Sequence, residues 1–182
     1  MPRLELSHGR LRGNTLIPPP DGLQAFGPTM EVMIGLHSAT EAKRRTTGAA
    51  LPAAVVGKAM IDTGATVTTI DRPAAERLGL EPSGKVESFG IGGKAVGVTV
   101  PCSVDIQGLG VDITRCHCHD LATHIQDLLC LIGRDILRHT VFHYDGPAGT
   151  FYLEIRERTA PASLKSIRPG KGARRNRLRR RD

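Results

Sequence analysis

Apolar and polar residues alternate along several short segments of the chain, a pattern typical of β-strands with one buried face. The first clear example is the apolar series at every second position from 30 to 36. Further strands are predicted at 55–61, 67–70, 86–89, 95–106, 111–118, 141–144 and 150–155. Turns rich in Gly, Asp and Pro separate these segments, most clearly at 145–149, where a hairpin is predicted. The pattern therefore predicts an all-β domain.

Few helices are expected between these strands. Asp71 is predicted to cap a short helix that has Pro73 in its first turn and ends at Leu78, before Gly79. A strand that leads into a second short helix is predicted at 132–137. The polar segment 38–48 is predicted to be a loop, because it has no apolar period.

Composition and charge divide the chain of 182 residues into three parts. Residues 1–27 contain a run of prolines and are predicted to be an extended leader, and residues 28–158 form the predicted domain. The net charge of +7 comes from the predicted disordered tail at 159–182, since nine basic residues and one acidic residue lie between 165 and 182. Such a tail is expected to bind polyanions, including RNA, only weakly and in a salt-sensitive manner.

Two classes of protein are disfavoured by composition. Aromatic residues make up 3% of the chain and Trp is absent, which argues against a base-stacking nucleic-acid surface. The first residues lack the apolar core of a signal peptide, and no segment is long and apolar enough to span a bilayer. We therefore expect a cytoplasmic protein without membrane association, whose four cysteines are free thiols.

The sequence Cys-His-Cys-His at 116–119 suggests a metal site, but it lies at the end of a predicted strand. Residues at alternate positions face opposite sides of a strand, so the two cysteines and the two histidines would point apart. A tetrahedral zinc site requires four ligands that converge. The prediction is therefore that no metal binds here and that the cysteines pack as small apolar residues.

The strongest candidate for chemistry is the Asp-Thr-Gly triplet at Asp62, Thr63 and Gly64, which follows the predicted strand 55–61 and precedes Ala65. A carboxylate can act as a general base towards a bound water. Alternatively, the triplet is only a turn that closes a strand. Two other segments favour the functional interpretation: the glycine-rich run 90–93, and the segment 131–137, with two apolar residues before Gly133 and Arg134.

With these segments, the range from about 28 to 156 resembles the retropepsins, the dimeric aspartic peptidases of retroviruses and their cellular and bacterial relatives. The resemblance implies a closed β-barrel with one or two short helices and no metal or cofactor. It also implies that a homodimer hydrolyses peptide or protein substrates with one Asp from each subunit. Asp62 would be catalytic, Thr63 would brace the two loops across the dimer axis, and Gly64 would allow close approach of the backbone. Ala65, Gly133 and Arg134 would support the site.

The resemblance also assigns a flap to Gly90, Ile91, Gly92 and Gly93, with Ile91 at its tip. A glycine-rich hairpin without a substrate role is the alternative. One position departs from the viral pattern: Thr66 stands where viral members often carry an acid that pairs with the downstream arginine. The partner of Arg134 is therefore left open.

Two alternatives to a dimeric peptidase remain at this point. Since the chain carries one Asp-Thr-Gly triplet, a monomeric enzyme would need Asp71 or Asp135 as its second carboxylate. A protein that does not hydrolyse peptides could be a binding module with the same fold, or a nucleic-acid-binding protein that acts through its tail.

Overall fold

The computed structural model describes residues 3–7, 10–12, 15–90, 93–121 and 127–155. The strands are β1 (Arg3–Ser7), β2 (Arg10–Arg12), β3 (Thr15–Ile17), β4 (Thr29–Leu36), β5 (Val55–Ile61), β6 (Thr69–Asp71), β7 (Gly84–Gly90), β8 (Gly93–Ile106), β9 (Leu109–His119), β10 (Leu128–Ile132), β11 (Thr140–Asp145) and β12 (Thr150–Ile155). The helices are α1 (Pro19–Phe26), α2 (Ser38–Thr47), α3 (Arg72–Arg77) and α4 (Arg134–Leu137). The tail 159–182 lies outside the described residues.

Six strands form a closed barrel in the order β4-β5-β10-β6-β9-β8, because β8 also pairs with β4. β7 pairs with the outer end of β8 and extends the sheet as a hairpin. β5 and β10 are parallel, as are β6 and β9, whereas the other neighbours are antiparallel. The predicted all-β fold with a closed barrel is therefore confirmed.

The barrel interior is filled by alternate residues of its strands, as the sequence pattern predicts. Ile34, Ile70 and Cys130 are fully buried, and so are the other cysteines, Cys102, Cys116 and Cys118. All four thiols are free. They pack as small apolar side chains against the β-branched residues of the core.

The N-terminal segment differs from the predicted extended leader. Residues 3–7 form β1, which pairs with β12 in a second sheet of order β1-β12-β11. Residues 19–26 form α1. The Leu23 side chain of this helix is 1% exposed and belongs to the same hydrophobic core as Phe151. The prediction of an extended conformation is therefore wrong for residues 19–26, whereas residues 3–7 are extended but paired with β12. The boundary at residue 28 stays a prediction.

A helix also replaces the predicted loop at 38–48. The Nδ1 atom of His37 accepts a hydrogen bond from the Ala39 N–H at the start of α2, and Gly48 ends the helix in the left-handed region. Glu41 and Arg45 form an i,i+4 ion pair on its surface. No residue of α2 is buried, so the apolar period that identifies most helices is missing here. The described chain thus has four short helices rather than one or two.

Helix α3 lies where the sequence predicts it, but Asp71 does not cap it with its side chain. The Asp71 carboxylate instead accepts a hydrogen bond from the Leu121 N–H at 2.8 Å.

Among the described helices, none is long and apolar enough to cross a membrane.

Candidate active site

The Asp62 side chain is held at the end of β5 by its own loop. The Asp62 N–H donates to the Ile132 carbonyl at 3.0 Å, which extends the β5–β10 pairing by one residue. The Asp62 Oδ1 atom accepts hydrogen bonds from the N–H groups of Gly64 (2.8 Å) and Ala65 (3.2 Å). Oδ2 accepts none from the described residues. The carboxylate is therefore oriented through one oxygen, while the other is available to a ligand.

Two residues of this loop are open to solvent. Thr63 and Gly64 are exposed, and Asp62 itself is half-buried. A Cβ at position 64 would lie 3.0 Å from the Asp62 Oδ1 atom, so a larger residue would crowd the carboxylate. The absence of a side chain at Gly64 therefore supports the Asp62 conformation.

Gly133, at the end of β10, lets the segment 131–137 pack closely against the Asp62 loop. A Cβ at position 133 would lie 2.5 Å from the Val67 carbonyl carbon and 2.7 Å from the Thr68 nitrogen. Both are backbone atoms, which cannot rotate away. The sequence prediction that Gly133 supports the site thus has a physical basis in this close packing of two chain segments.

The Arg134 side chain forms hydrogen bonds to several residues of the Asp62 loop. Its Nη1 atom donates to the carbonyl oxygens of Thr63 (2.8 Å) and Gly64 (2.9 Å), and its Nη2 atom donates to the Thr66 hydroxyl (2.9 Å). Its backbone N–H donates to the Ala65 carbonyl at 3.0 Å. These bonds supply the partner that the sequence leaves open, and Thr66 keeps a polar contact where an acid is absent.

A second polar network lies beneath the loop and was not predicted. The Asp135 Oδ1 atom accepts hydrogen bonds from the Thr68 N–H (2.9 Å), the Thr68 hydroxyl (2.7 Å) and the Ile136 N–H (3.0 Å). The Thr68 hydroxyl in turn accepts from the Gly133 N–H at 3.1 Å. Thr68 is fully buried, so this network fixes β10 and α4 to the segment that follows Asp62.

Replacing Thr68 with Val should lower the free energy of unfolding by about 2 kcal/mol, because a buried hydroxyl that makes two hydrogen bonds is lost and the Gly133 N–H is left unpaired. Urea denaturation followed by circular dichroism would measure it. Thr69→Val is the matched control, since the buried Thr69 hydroxyl makes one long contact of 3.4 Å. Equal effects of the two substitutions would contradict a structural role for the network.

The glycine-rich run lies at the end of the β7–β8 hairpin. Gly90 pairs with Gly93, whose φ of +96° requires a residue without a side chain. Ile91 and Gly92 lie outside the described residues. The structure therefore shows the hairpin that would carry a flap, and the role of its tip stays a prediction.

The Cys-His-Cys-His segment lies on β9 and alternates as predicted. Cys116 and Cys118 point into the core, while His117 and His119 are half-buried on the other side of the strand. Burial raises the pKa of the Cys118 thiol to about 11, so this cysteine is a protonated packing residue and not a nucleophile. Within the described ranges, no three His, Cys, Asp or Glu side chains converge on a metal position.

Several solved structures are similar to this chain. They include EIAV protease bound to an inhibitor (21% identity, TM-score 0.40, 61% of this chain and 85% of that chain covered). Simian foamy virus protease shows 16% identity, a TM-score of 0.38, and coverage of 60% and 91%. A retropepsin-like aspartic protease from Rickettsia conorii shows 18% identity, a TM-score of 0.43, and coverage of 84% and 91%. None of the curated proteins matches the chain.

The family model of gag-polyprotein putative aspartyl proteases matches residues 54–139. This range contains β5, the Asp62 loop, the β7–β8 hairpin and the segment of Gly133 and Arg134. The matched range therefore includes both segments that the hydrogen bonds of Arg134 join. Over these residues the chain is similar to the retropepsin-like aspartic peptidases.

Proposed function

We propose that this protein is an aspartic endopeptidase in which Asp62 of each of two identical subunits forms the catalytic pair. The observation that carries the proposal is the state of the Asp62 carboxylate. Its Oδ1 atom is held by two backbone N–H groups, and its Oδ2 atom accepts no hydrogen bond from the described residues. Such a carboxylate is positioned before any substrate binds, as catalysis requires.

The chemistry follows from bringing two such carboxylates together. At a separation of roughly 3 Å they share one proton, because two adjacent negative charges repel strongly. The ionised carboxylate takes a proton from a bound water, which attacks the peptide carbonyl carbon. The protonated carboxylate donates to the carbonyl oxygen. In this mechanism Thr63 and Gly64 form the exposed loop that faces the second subunit, and no metal or cofactor takes part.

A partner carboxylate from the same chain is less well supported. Asp135 is hydrogen-bonded to Thr68 and to the Ile136 N–H. Asp71 is 7% exposed and bonded to the Leu121 N–H. Both side chains thus have structural partners, whereas the loop of Asp62 is at the surface. A symmetric homodimer supplies the second carboxylate without disturbing either of them.

The proposal is tested by mixing active and inactive subunits. With a ninefold excess of Asp62→Asn chains, random pairing leaves only about one tenth of the native subunits in native dimers, so activity per native chain should fall about tenfold. Cleavage of a mixed peptide library, read by mass spectrometry, would measure this. Specific activity of the native protein should also rise with its concentration until the dimer saturates.

The matched control for mixing is an equal excess of Asp21→Asn chains, since Asp21 is exposed on α1. These chains should add activity rather than remove it. A monomer by sedimentation, with cleavage that is independent of concentration and not reduced by Asp62→Asn chains, would overturn the two-subunit site.

A further inference from the structure

A row of side chains crosses the barrel on the same side as Asp62. The register pairs Met60 with Leu131, Leu131 with Thr69, and Thr69 with His117 across β5, β10, β6 and β9. Directly paired residues project from the same face of a sheet, and the opposite face is the barrel core. Asp62 lies two residues beyond Met60 and therefore belongs to this face. His117 is thus placed along the surface that leads away from the candidate catalytic carboxylate.

The end of this row is polar. Ser88 of the β7–β8 hairpin places its Oγ atom 3.1 Å from the His119 Nε2 atom and 3.5 Å from the His117 Nδ1 atom. The two imidazole centroids are 6.2 Å apart. Gly97 of β8 makes the arrangement possible, because any Cβ there would overlap the His119 ring. The histidines therefore contact the hairpin whose tip would close over a substrate.

The surroundings of the two histidines disfavour additional positive charge. Burial, His119 and Arg115 lower the pKa of His117 below its ordinary value of 6.5, and Asp135 opposes them. Burial and Arg72 likewise lower the pKa of His119, against the opposing effect of Asp120.

The acids near the histidines already have partners. The Asp135 carboxylate accepts hydrogen bonds from Thr68 and Ile136, and Asp120 is 3.4 Å from the Arg72 guanidinium. Burial disfavours any unpaired charge, so the charged ligand group that fits here is a carboxylate that accepts a hydrogen bond from a protonated histidine, because each charge then compensates the other.

We propose that His117, together with Ser88 and His119, forms a specificity subsite that selects an acidic side chain in the peptide substrate. This inference rests on the proposed peptidase function. Three strand spacings of about 4.8 Å separate β5 from β9, and an extended peptide advances about 3.3 Å per residue. The selected Asp or Glu therefore lies within about four residues of the scissile bond.

The proposed preference depends on pH in a defined direction. Protonated histidine attracts a carboxylate, whereas neutral histidine offers the carboxylate one N–H hydrogen bond and no charge. The preference for Glu over Gln should therefore be largest below the pKa of His117 and should weaken as pH rises through it. It should also weaken below about pH 4, where the Glu of the peptide becomes protonated.

The test compares pairs of peptides that differ only by Glu or Gln at each position within four residues of the cleaved bond, chosen from the best-cleaved members of a mixed library. At one position, native protein should show a Glu to Gln ratio of kcat/KM of about tenfold at its maximum, which lies below pH 6.5 because the pKa of His117 is lowered. The ratio should fall towards one at pH 8. His117→Leu should remove the preference at every pH. His117→Gln, which keeps a donor but no charge, should show a small ratio that does not change with pH.

His139→Leu is the matched control, because His139 is exposed beyond α4. It should keep the native ratio and its pH dependence. A native ratio near one at all positions, or a ratio unchanged in both His117 variants, would overturn the subsite.

Failure of the peptidase function gives a different result. If native protein cleaves nothing, binding of the library to immobilised Asp62→Asn protein still tests the subsite. Enrichment of acidic peptides that His117→Leu abolishes would support it without hydrolysis, and equal capture of acidic and neutral peptides would refute it.

Discussion

Replacing Asp62 with Asn should reduce peptide hydrolysis by about 10²–10⁴-fold and leave the fold intact. An amide oxygen can still accept the hydrogen bonds from the Gly64 and Ala65 N–H groups, so the loop keeps its conformation. The amide cannot take a proton from water, and loss of a general base typically costs 10²–10⁴-fold. The measurement is kcat/KM on a peptide selected from the library, with thermal unfolding as the check on folding.

Asp71→Asn and Asp135→Asn separate this prediction from its alternatives. Both substitutions alter structural carboxylates, so we expect lower stability and activity that is retained in the fraction that folds. If the Asp62→Asn protein cleaves near the native rate, while a folded Asp71→Asn or Asp135→Asn protein is inactive, the catalytic assignment is wrong.

The barrel could be predicted from the sequence because its strands bury one face each. β4, β5, β8 and β9 lie within a few residues of their predicted ranges. The same is true of the β11–β12 hairpin, whose turn is marked by Asp145 and Gly149. Where every second residue of a strand is buried, the alternation of apolar residues in the sequence predicts the strand that the tertiary structure contains.

Helices α1 and α2 were missed for different physical reasons. α2 has no buried residue and is stabilised by its ends and surface pairs, so it carries no apolar stripe. α1 begins with Pro19 and Pro20, which are compatible with a first helical turn but usually indicate an extended chain. Packing of Leu23 against the core decides its conformation, and that contact is not visible locally.

Some features of the candidate site could likewise be predicted from the sequence, and others could not. Asp62 and Gly133 could be identified because their segments have a distinctive order of residues. The partners of Arg134 could not, because two of them are backbone carbonyls, which any residue type supplies. The bond between Thr68 and Asp135 joins positions 67 residues apart and depends on the crossing of β10 behind the loop.

Gly133→Ala should be among the most destabilising single-methyl additions in this protein, with a loss of roughly 3 kcal/mol in the free energy of unfolding. The backbone conformation is not the cause, since φ at Gly133 is −89°, which alanine adopts readily. The cause is contact: the new Cβ would lie 2.5 Å from the Val67 carbonyl carbon, 2.8 Å from the Val67 oxygen and 2.7 Å from the Thr68 nitrogen. The backbone at Gly133 and the backbone at Val67 and Thr68 must therefore move away from each other.

That movement should also reduce activity in the fraction that remains folded. Val67 and Thr68 continue the loop of Asp62, and a displacement of about 1 Å in a catalytic group can cost about a hundredfold in rate. Gly110→Ala is the matched control, because Gly110 lies in β9 with no atom closer than 3.9 Å to the added Cβ. It should leave the urea midpoint close to the native value, since alanine also reduces the conformational freedom of the unfolded chain. It should leave kcat within about twofold of native. Urea midpoints and single-turnover cleavage would measure both effects. If Gly133→Ala behaves like Gly110→Ala in both, the close crossing of the two segments does not position Asp62.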